Sequence, residues 1–336
     1  MKICVFGAGA MGGHLAARLL ASGQAEVSVL ARGPHLAAIQ TQGLRLNLAG
    51  QVYQGRPCVA TDNSERLEPQ DLVIVALKAQ ALPGAAPAIA RLLKSDGLAL
   101  FLLNGIPWWW NYGLPGERGS LALLDPQGDL WRLLRQRTLG CVCHASNEVI
   151  APGVIEGSPG DRWLLGDPMV NPQESASQRL LGVLALLKQA GFAASASTDL
   201  RRDIWHKLLI NASLNPVSAL TRLPTRELTN NNALRDQMMA LMREVVAVAK
   251  ACGWDLEAQG LASPSVFEAW LDPAKRTPTH RTSMLQDVLA GRSLEVDALL
   301  GQTQLFARET GVATPVCDVL LPLLRALTPA KFPPLL

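Results

Sequence analysis

The first dozen residues constrain the fold of this chain more than any other stretch. A short apolar segment, residues 2–6, runs into Gly7-x-Gly9-x-x-Gly12 and then into a helical pattern, with a second apolar segment at 26–31. Gly7 permits a tight turn, Gly9 removes a side chain that would block a pyrophosphate, and Gly12 lets the helix lie close to the strand. This βαβ context predicts dinucleotide binding and disfavours the alternative, a glycine turn that only packs a helix on a sheet.

The start of the predicted helix supplies the backbone N–H groups that bind phosphates at helix N-termini. We therefore expect the dinucleotide to contact this turn directly. The predicted contacts are Gly7, Ala8, Gly9, Ala10, Met11 and Gly12.

The residue that closes the second strand indicates which dinucleotide binds. An aspartate or glutamate there would hydrogen-bond the adenosine ribose of NAD, but the chain has Arg32 instead. A guanidinium pairs with a 2′-phosphate in fork geometry, so Arg32 predicts NADP(H). The alternative is an ordinary solvated arginine at a strand end.

Two further polar residues follow continuous apolar runs. Residues 71–77 end at Lys78, and residues 97–103 end at Asn104. Such runs are typical of parallel strands buried on both faces, and ligands bind beyond the carboxyl ends of these strands. Each residue alone is compatible with a solvated loop, but their shared position predicts ligand contacts.

The pattern divides the chain into an α/β part, residues 1–198, and an all-helical part, residues 199–336. We expect a Rossmann-type dinucleotide-binding domain followed by a helical substrate domain, with a cleft between them. In the first part, strands at 44–48, 57–61, 138–146, 153–156, 162–166 and 192–197 and helices at 35–42, 130–136 and 173–189 are predicted, with the later strands completing the sheet. In the second part, helices are predicted at 199–220, 231–252, 263–271, 280–290, 294–310 and 315–327, before an irregular tail at 329–336.

Residues 106–129 are rich in glycine and proline and include three consecutive tryptophans, Trp108 to Trp110. The pattern predicts a long loop over the ligand site. Three adjacent indoles do not fit one side of a regular element, which favours contact with a ligand, the other domain or a partner subunit. The alternative is a hydrophobic plug without ligand contact.

The bulk composition excludes several classes of protein. A net charge of +3, with no run of five basic residues, argues against nucleic-acid binding. We expect no secretory leader and no membrane span, and therefore a cytoplasmic enzyme. The six cysteines lack metal-ligand spacing, so no metal is expected and Cys141 and Cys143 are interpreted as small apolar residues. Apolar helices after residue 230 are compatible with a homodimer.

One polar stripe runs along the first helix of the second part. Lys207, Asn211 and Asn215 stand at i, i+4 and i+8 in an otherwise apolar segment, just before Pro216, which is expected to kink the helix. Buried ammonium and amide groups need partners, and a polar substrate would supply them. The alternative is a surface lysine with asparagines in cap or turn positions.

Several of these features together resemble one known family. The glycine turn, Lys78, Asn104-Gly105, Trp-x-Lys-Leu-x-x-Asn-x-x-x-Asn-Pro and a later Ser-Met-Leu-Gln-Asp with Glu295 resemble ketopantoate reductases over nearly the whole chain. Without the resemblance, Ser283 would be interpreted as a helix cap and Glu295 as a surface carboxylate.

The resemblance implies NADPH-dependent reduction of a 2-keto acid, most directly 2-dehydropantoate to pantoate in pantothenate biosynthesis. It implies that Lys207 supplies the proton and that Glu295 holds the cofactor ribose and positions Lys207. It also implies the remaining contacts. Asn104, Asn211, Asn215 and Ser283 bind substrate, and Arg32, Lys78, Asn104 and Ala145 bind cofactor.

Two departures from the family pattern concern the substrate. The Trp108 to Trp110 segment replaces a short glycine-rich continuation, and Thr225 stands where a substrate-contacting asparagine is common. They favour an alternative to 2-dehydropantoate as the substrate, namely a bulkier keto or carbonyl compound. A non-catalytic NADP(H)-binding sensor is the alternative from another class of protein, and the retained Lys207 argues against it.

Overall fold

The structure is a computed structural model, and it describes residues 1–116, 118–169 and 176–327. These residues form two compact units. The first comprises Met1–Leu103 and the described residues of Trp108–Leu200, and the second comprises Asn104–Pro107 and the described residues from Arg201 onward. The short Asn104–Pro107 segment thus belongs with helices that lie far beyond it in sequence.

Twelve strands lie in the described residues of the first unit. In chain order they are β1 (Lys2–Phe6), β2 (Glu26–Leu30), β3 (Leu44–Leu48), β4 (Gln51–Gly55), β5 (Ala60–Thr61), β6 (Gln70–Val75), β7 (Leu93–Leu102), β8 (Thr138–His144), β9 (Asn147–Ala151), β10 (Val154–Gly157), β11 (Arg162–Gly166) and β12 (Ala194–Ala196).

Eight of these strands form one sheet in the order β12-β11-β8-β7-β6-β1-β2-β5. From β8 to β5 every neighbouring pair is parallel, whereas β11 runs antiparallel to β8 and β12 runs parallel to β11. The central strands are continuous apolar runs because both faces of the sheet are covered. The predicted Rossmann-type sheet is confirmed, and Val5 lies at its centre, between Val29 and Ile74.

The expectation that all later strands complete this sheet is wrong for β10. This strand pairs with β3 and β9 in a separate four-stranded sheet of order β4-β3-β10-β9. The sequence did not predict β9, in which four of five residues are exposed and no alternation marks a buried face.

Twelve α-helices lie in the described residues. They are α1 (Ala10–Ser22), α2 (Gly33–Gln42), α3 (Leu82–Leu92), α4 (Asp129–Leu134), α5 (Gln178–Gln189), α6 (Leu200–Thr221), α7 (Thr225–Asn230), α8 (Asn232–Ala251), α9 (Pro264–Trp270), α10 (Ser283–Leu289), α11 (Gln302–Thr310) and α12 (Pro315–Ala326).

The helical second half is confirmed, with local differences. A π-helix, Asp297–Gly301, precedes α11 where one continuous helix was expected. Helix α7 was not predicted, because six residues are too few for a periodic pattern. The expected start of a helix at 173 and the expected irregular tail at 329–336 lie outside the described residues.

The three tryptophans are buried. Trp108, Trp109 and Trp110 are each at most 2 % exposed. Trp108 packs edge-on against Phe101 of β7 with ring centroids 5.3 Å apart. Trp109 packs over Gly140 of β8, where an added Cβ would lie 2.5 Å from the indole. These contacts agree with the hydrophobic plug.

The core of the second unit is built around α8. Its buried face includes Met238, Leu241, Met242 and Val245, and it packs against α11 and α12. The carboxylate of Glu244 accepts hydrogen bonds from the N–H groups of Val316 and Cys317, and so caps the start of α12. Of the helices that the structure describes, none combines the length and the apolar character needed to cross a bilayer.

Candidate active site

The glycine turn joins β1 to α1 with a different role for each glycine. Gly7 has φ +98°, which favours glycine, and a Cβ on Gly12 would lie 2.1 Å from the Gly7 carbonyl oxygen. These two glycines are therefore required by the chain's own packing. Gly9 differs, because a Cβ there would have no atom within 4 Å. The open space at Gly9 fits the approach of a ligand.

The turn also presents unused backbone donors. The N–H groups of Gly7 and Ala8 donate to Leu30 O, at 3.1 and 2.9 Å. By contrast, no acceptor among the described residues takes the N–H groups of Gly9 to Gly12. Four unused donors at the N-terminus of a helix form a site suited to phosphate.

The other predicted cofactor contacts of the first unit follow neighbouring strands. Arg32 caps α2 just after β2, Lys78 follows β6, and Ala145 follows β8. Because β8, β6, β1 and β2 are parallel members of one sheet, their carboxyl ends lie at the same edge. Arg32 is exposed, and its side chain makes no hydrogen bond or ion pair with any described residue. This arrangement fits a nicotinamide dinucleotide.

In the second unit, the predicted polar stripe lies on one helix. Lys207, Asn211 and Asn215 all belong to α6, which continues through Pro216. Lys207 and Asn211 are half-buried and Asn215 is 6 % exposed. Neither asparagine side chain hydrogen-bonds another residue in the described part of the chain. Two partly or fully buried amides therefore remain for a ligand.

Lys207 is connected to two other predicted site residues. Its Nζ donates to Asn104 Oδ1 at 2.9 Å, and Asn104 Nδ2 donates to Glu295 Oε2 at 3.4 Å. The three side chains come from the segment after β7, from α6 and from the residues before the π-helix. The structure thus brings together an ammonium, an amide and a carboxylate that are far apart in sequence.

The segment that carries Asn104 is held against the π-helix. Ile106 N–H donates to Ala298 O at 2.8 Å. Gly105 has φ +75°, and a Cβ there would lie 2.2 Å from the same carbonyl oxygen. Only glycine fits at this close approach. π-Helices are rare and occur frequently at functional sites.

No hydrogen bond or ion pair between described residues joins Ser283 or Thr225 to this group. Ser283 is exposed and is the first residue of α10, whose cap is Thr282, with an oxygen 3.2 Å from Leu285 N. Thr225 N–H donates to His280 O at 2.9 Å. The Thr225 hydroxyl is buried and has no hydrogen-bond partner among the described residues.

No local sequence pattern indicates the buried polar cluster behind the glycine turn. Asn147 Nδ2 lies 3.0 Å from Met11 Sδ, and its Oδ1 lies 2.9 Å from His14 Nδ1. Burial lowers the pKa of His14, which is fully enclosed. Arg18 completes the cluster through a 2.7 Å ion pair with Asp161. The contact between Asn147 and His14 spans 133 residues, which no local pattern predicts.

Within the described ranges, no group of three or more histidine, cysteine, aspartate or glutamate side chains is arranged to hold a metal ion. The candidate site is therefore described by its backbone donors, its cations and its amides.

Comparison with known proteins agrees with this geometry. Residues 3–107 match the family described as ketopantoate reductase PanE/ApbA, and residues 199–328 match its C-terminal family. A 2-dehydropantoate 2-reductase of Mesorhizobium japonicum is 38 % identical over 330 residues, which cover 97 % of this chain and 98 % of the relative.

Solved structures show the same relationship. A candidate ketopantoate reductase of Ralstonia solanacearum MolK2 has a TM-score of 0.86 and 35 % identity, with 98 % of each chain covered. D-Mandelate dehydrogenase with NADH and anilino(oxo)acetate has a TM-score of 0.80 over 98 % of each chain, and at 22 % identity it shows the shared fold alone. The chain therefore belongs to the ketopantoate reductase PanE/ApbA family, and it is an oxidoreductase that acts on CH–OH and C=O groups.

Proposed function

We propose that this protein uses NADPH to reduce the keto carbon of a 2-keto acid, and that its substrate is 2-dehydropantoate, with pantoate as the product. The observation that carries the proposal is the connected group Lys207, Asn104 and Glu295. The 38 % identical 2-dehydropantoate 2-reductase supports the choice of substrate.

Lys207 is the proposed proton donor. The carbonyl oxygen gains negative charge as hydride reaches the keto carbon, and a nearby ammonium stabilises that charge and then supplies a proton. An ammonium has three N–H donors, and Lys207 uses one of them on Asn104. The others remain for the substrate oxygen, and Glu295 holds the Asn104 amide from its other side.

The proposed substrate contacts are the amides along α6 and the exposed Ser283. Asn211 and Asn215 stand one and two turns beyond Lys207, and their side chains have no hydrogen-bond partner among the described residues. Ser283 is proposed to bind the carboxylate end of the substrate, and Asn104 also to contact it. Residues 1–198 thus supply most of the proposed dinucleotide contacts and residues 199–336 most of the proposed substrate contacts, with Asn104 and Glu295 as the exceptions.

A bound reduced nicotinamide supplies the hydride. The residues proposed to hold the dinucleotide are Gly7 to Gly12, Arg32, Lys78, Asn104, Ala145 and Glu295. The exposed Arg32 guanidinium supports NADPH over NADH, because an arginine binds a 2′-phosphate through two parallel hydrogen bonds. D-Mandelate dehydrogenase, which shares the fold, was solved with NADH, so the preference of this protein for NADPH or NADH needs a direct test.

The experiment is steady-state turnover of the purified protein with NADPH or NADH and a panel of keto acids. The panel contains 2-dehydropantoate, pyruvate and the aromatic benzoylformate. We expect 2-dehydropantoate with NADPH to give a kcat/KM above about 10⁴ M⁻¹s⁻¹, the lower end for ordinary enzymes. Faster turnover of benzoylformate would replace the proposed substrate by a bulkier keto acid. Tight NADPH binding without turnover would contradict the proposed reaction.

A further inference from the structure

His35, a residue that the sequence did not single out, makes two specific backbone contacts in the first unit. It is the third residue of α2 and is half-buried. Its Nε2 lies 2.7 Å from the carbonyl oxygen of Ala8, and its Nδ1 lies 3.0 Å from the backbone nitrogen of Gly153.

These two partners fix the tautomer of the ring. A carbonyl oxygen only accepts and a backbone N–H only donates, so Nε2 carries the proton and Nδ1 is the acceptor. The imidazole therefore connects the glycine turn between β1 and α1 to Gly153, which lies between β9 and β10. Neutral histidine satisfies both contacts at once.

The contact with Ala8 has a consequence for the next residue. In a planar trans peptide, the C=O of Ala8 and the N–H of Gly9 point in opposite directions. No cis peptide bond is present among the described residues. When Nε2–H of His35 holds the Ala8 oxygen, it therefore aims the Gly9 N–H away from α2. That N–H is one of the four unused donors of the turn.

The same ring also lies three residues after Arg32. Arg32 caps α2, and its carbonyl accepts from Leu36 N–H at 3.2 Å, so the backbone of Arg32 is fixed to the first turn of this helix. A bond from His35 to Ala8 therefore fixes the start of α2, and with it Arg32, to the glycine turn.

We propose that His35 is a positioning residue of the dinucleotide site. It aims the Gly9 N–H at the pyrophosphate and holds Arg32 where its guanidinium reaches the 2′-phosphate. The proposal rests on the proposed use of NADPH. A residue that only attaches α2 to the sheet would not have this role, and α2 offers such a residue for comparison. Gln40 Nε2 donates to Ala60 O at 2.9 Å at the far end of the helix.

Three variants separate these roles. His35→Gln retains a donor at the position of Nε2 and an acceptor beside it, about as far apart as the two ring nitrogens. His35→Asn retains an acceptor near the position of Nδ1 but is too short to reach Ala8 O. Gln40→Leu removes a different attachment of the same helix and leaves the glycine turn untouched.

The measurement is the Kd of NADPH and of NADH by isothermal titration calorimetry, together with kcat at saturating NADPH. We expect His35→Asn to weaken NADPH binding at least about tenfold, because the Gly9 N–H loses its orientation and Arg32 its alignment. We expect kcat to stay within about threefold, the NADPH-to-NADH preference to fall, and His35→Gln and Gln40→Leu to bind NADPH within about threefold of the wild type.

The proposal is overturned if His35→Asn binds NADPH like the wild type, if His35→Gln is as weak as His35→Asn, or if Gln40→Leu is equally weak. Circular dichroism and thermal melting of each variant accompany the titrations, and the Gln and Asn variants are close enough in size that both should fold. A wild-type protein that binds neither dinucleotide would instead contradict the proposed function itself.

Discussion

Lys207 Nζ donates a 2.9 Å hydrogen bond to Oδ1 of Asn104, a residue 103 positions earlier in the chain. With its oxygen facing the ammonium, the Asn104 amide turns its NH₂ group toward the Glu295 carboxylate. An amide side chain can accept from a lysine through its oxygen and donate to a glutamate through its NH₂ group at the same time. Asn104 therefore fixes the position of Lys207 without neutralising its charge.

Replacing Asn104 tests this positioning. Asn104→Ala removes both hydrogen bonds and frees the lysine side chain, and misplacing a reacting group by about 1 Å costs about a hundredfold in rate. We expect a decrease in kcat of that order, measured at saturating NADPH so that any weaker cofactor binding does not contribute. Asn111→Ala is the matched control, because Asn111 donates to Gly119 O in the first unit and should leave kcat unchanged. An Asn104→Ala enzyme with kcat within twofold of the wild type would show that the amide does not position Lys207.

Gly105 supplies a second test of the same segment. A methyl group there would overlap the Ala298 carbonyl, 2.2 Å away, and the positive φ adds strain of about 1–2 kcal/mol. Gly105→Ala should therefore displace Asn104 and lower kcat at least about tenfold. Gly182→Ala, in α5 with open space around it, should stabilise the protein by about 0.5–1 kcal/mol. Kinetics and melting curves of both variants check the pair, and a fully active Gly105→Ala would refute the close approach.

Arg32 determines the predicted cofactor preference. Loss of a charge-assisted hydrogen bond costs about 1.5–3 kcal/mol, so Arg32→Ala should weaken NADPH binding by about ten- to a hundredfold and leave NADH within about twofold. Arg45→Ala removes the same charge from an exposed position on β3 and serves as the control. Equal weakening of both dinucleotides by Arg32→Ala would mean that the guanidinium does not contact the 2′-phosphate.

The buried Asp167 forms an ion pair with the half-buried Arg179, and loss of this pair should lower stability. The two Asp167 oxygens, with their side chain 2 % exposed, accept from Arg179 Nη2 and Nε at 2.5 Å each, and from Ser177 Oγ at 2.7 Å. Arg179→Met leaves a buried carboxylate without its cation, which costs about 3 kcal/mol. Arg132→Met breaks an exposed pair with Asp129 and should cost at most about 1 kcal/mol.

The same pair predicts a dependence on pH. Burial raises the pKa of Asp167, but the hydrogen bonds from Arg179 and Ser177 outweigh burial and leave the pKa below its usual value. Ionised Asp167 therefore stabilises the folded state above its unfolded pKa of about 3.9, and this stabilisation is lost as the pH falls through the lower folded pKa. The difference in melting temperature between wild type and Arg179→Met should shrink on acidification below about pH 4. A constant difference would contradict the assignment.

Local patterns were sufficient for much of this fold and for part of the site. The glycine turn needs only three positions in a strand-to-helix context, and the i, i+4, i+8 spacing was enough to align Lys207, Asn211 and Asn215 on α6. The positions of Asn104 after β7 and of Lys78 after β6 were predicted because buried parallel strands have recognisable ends.

Contacts between residues that are far apart in the chain could not be predicted from local sequence patterns. The carbonyl of Ala8 and the ring of His35 are 27 residues apart, and nothing in the sequence between them marks the contact. Strand β9 was missed because four of its five residues are exposed, and the π-helix because the same apolar spacing fits a continuous α-helix. Family resemblance alone, rather than any spacing, suggested that Glu295 belongs with Lys207.

The proposed reaction depends on proton donation by Lys207. The most direct measurement is kcat for NADPH oxidation in the presence of 2-dehydropantoate by Lys207→Ala, with the exposed Lys188→Ala as a charge-matched control. Loss of a general acid predicts that kcat falls by at least about a hundredfold while the Kd of NADPH and the melting temperature stay near those of the wild type. Near-normal turnover in a correctly folded Lys207→Ala protein would contradict proton donation by Lys207.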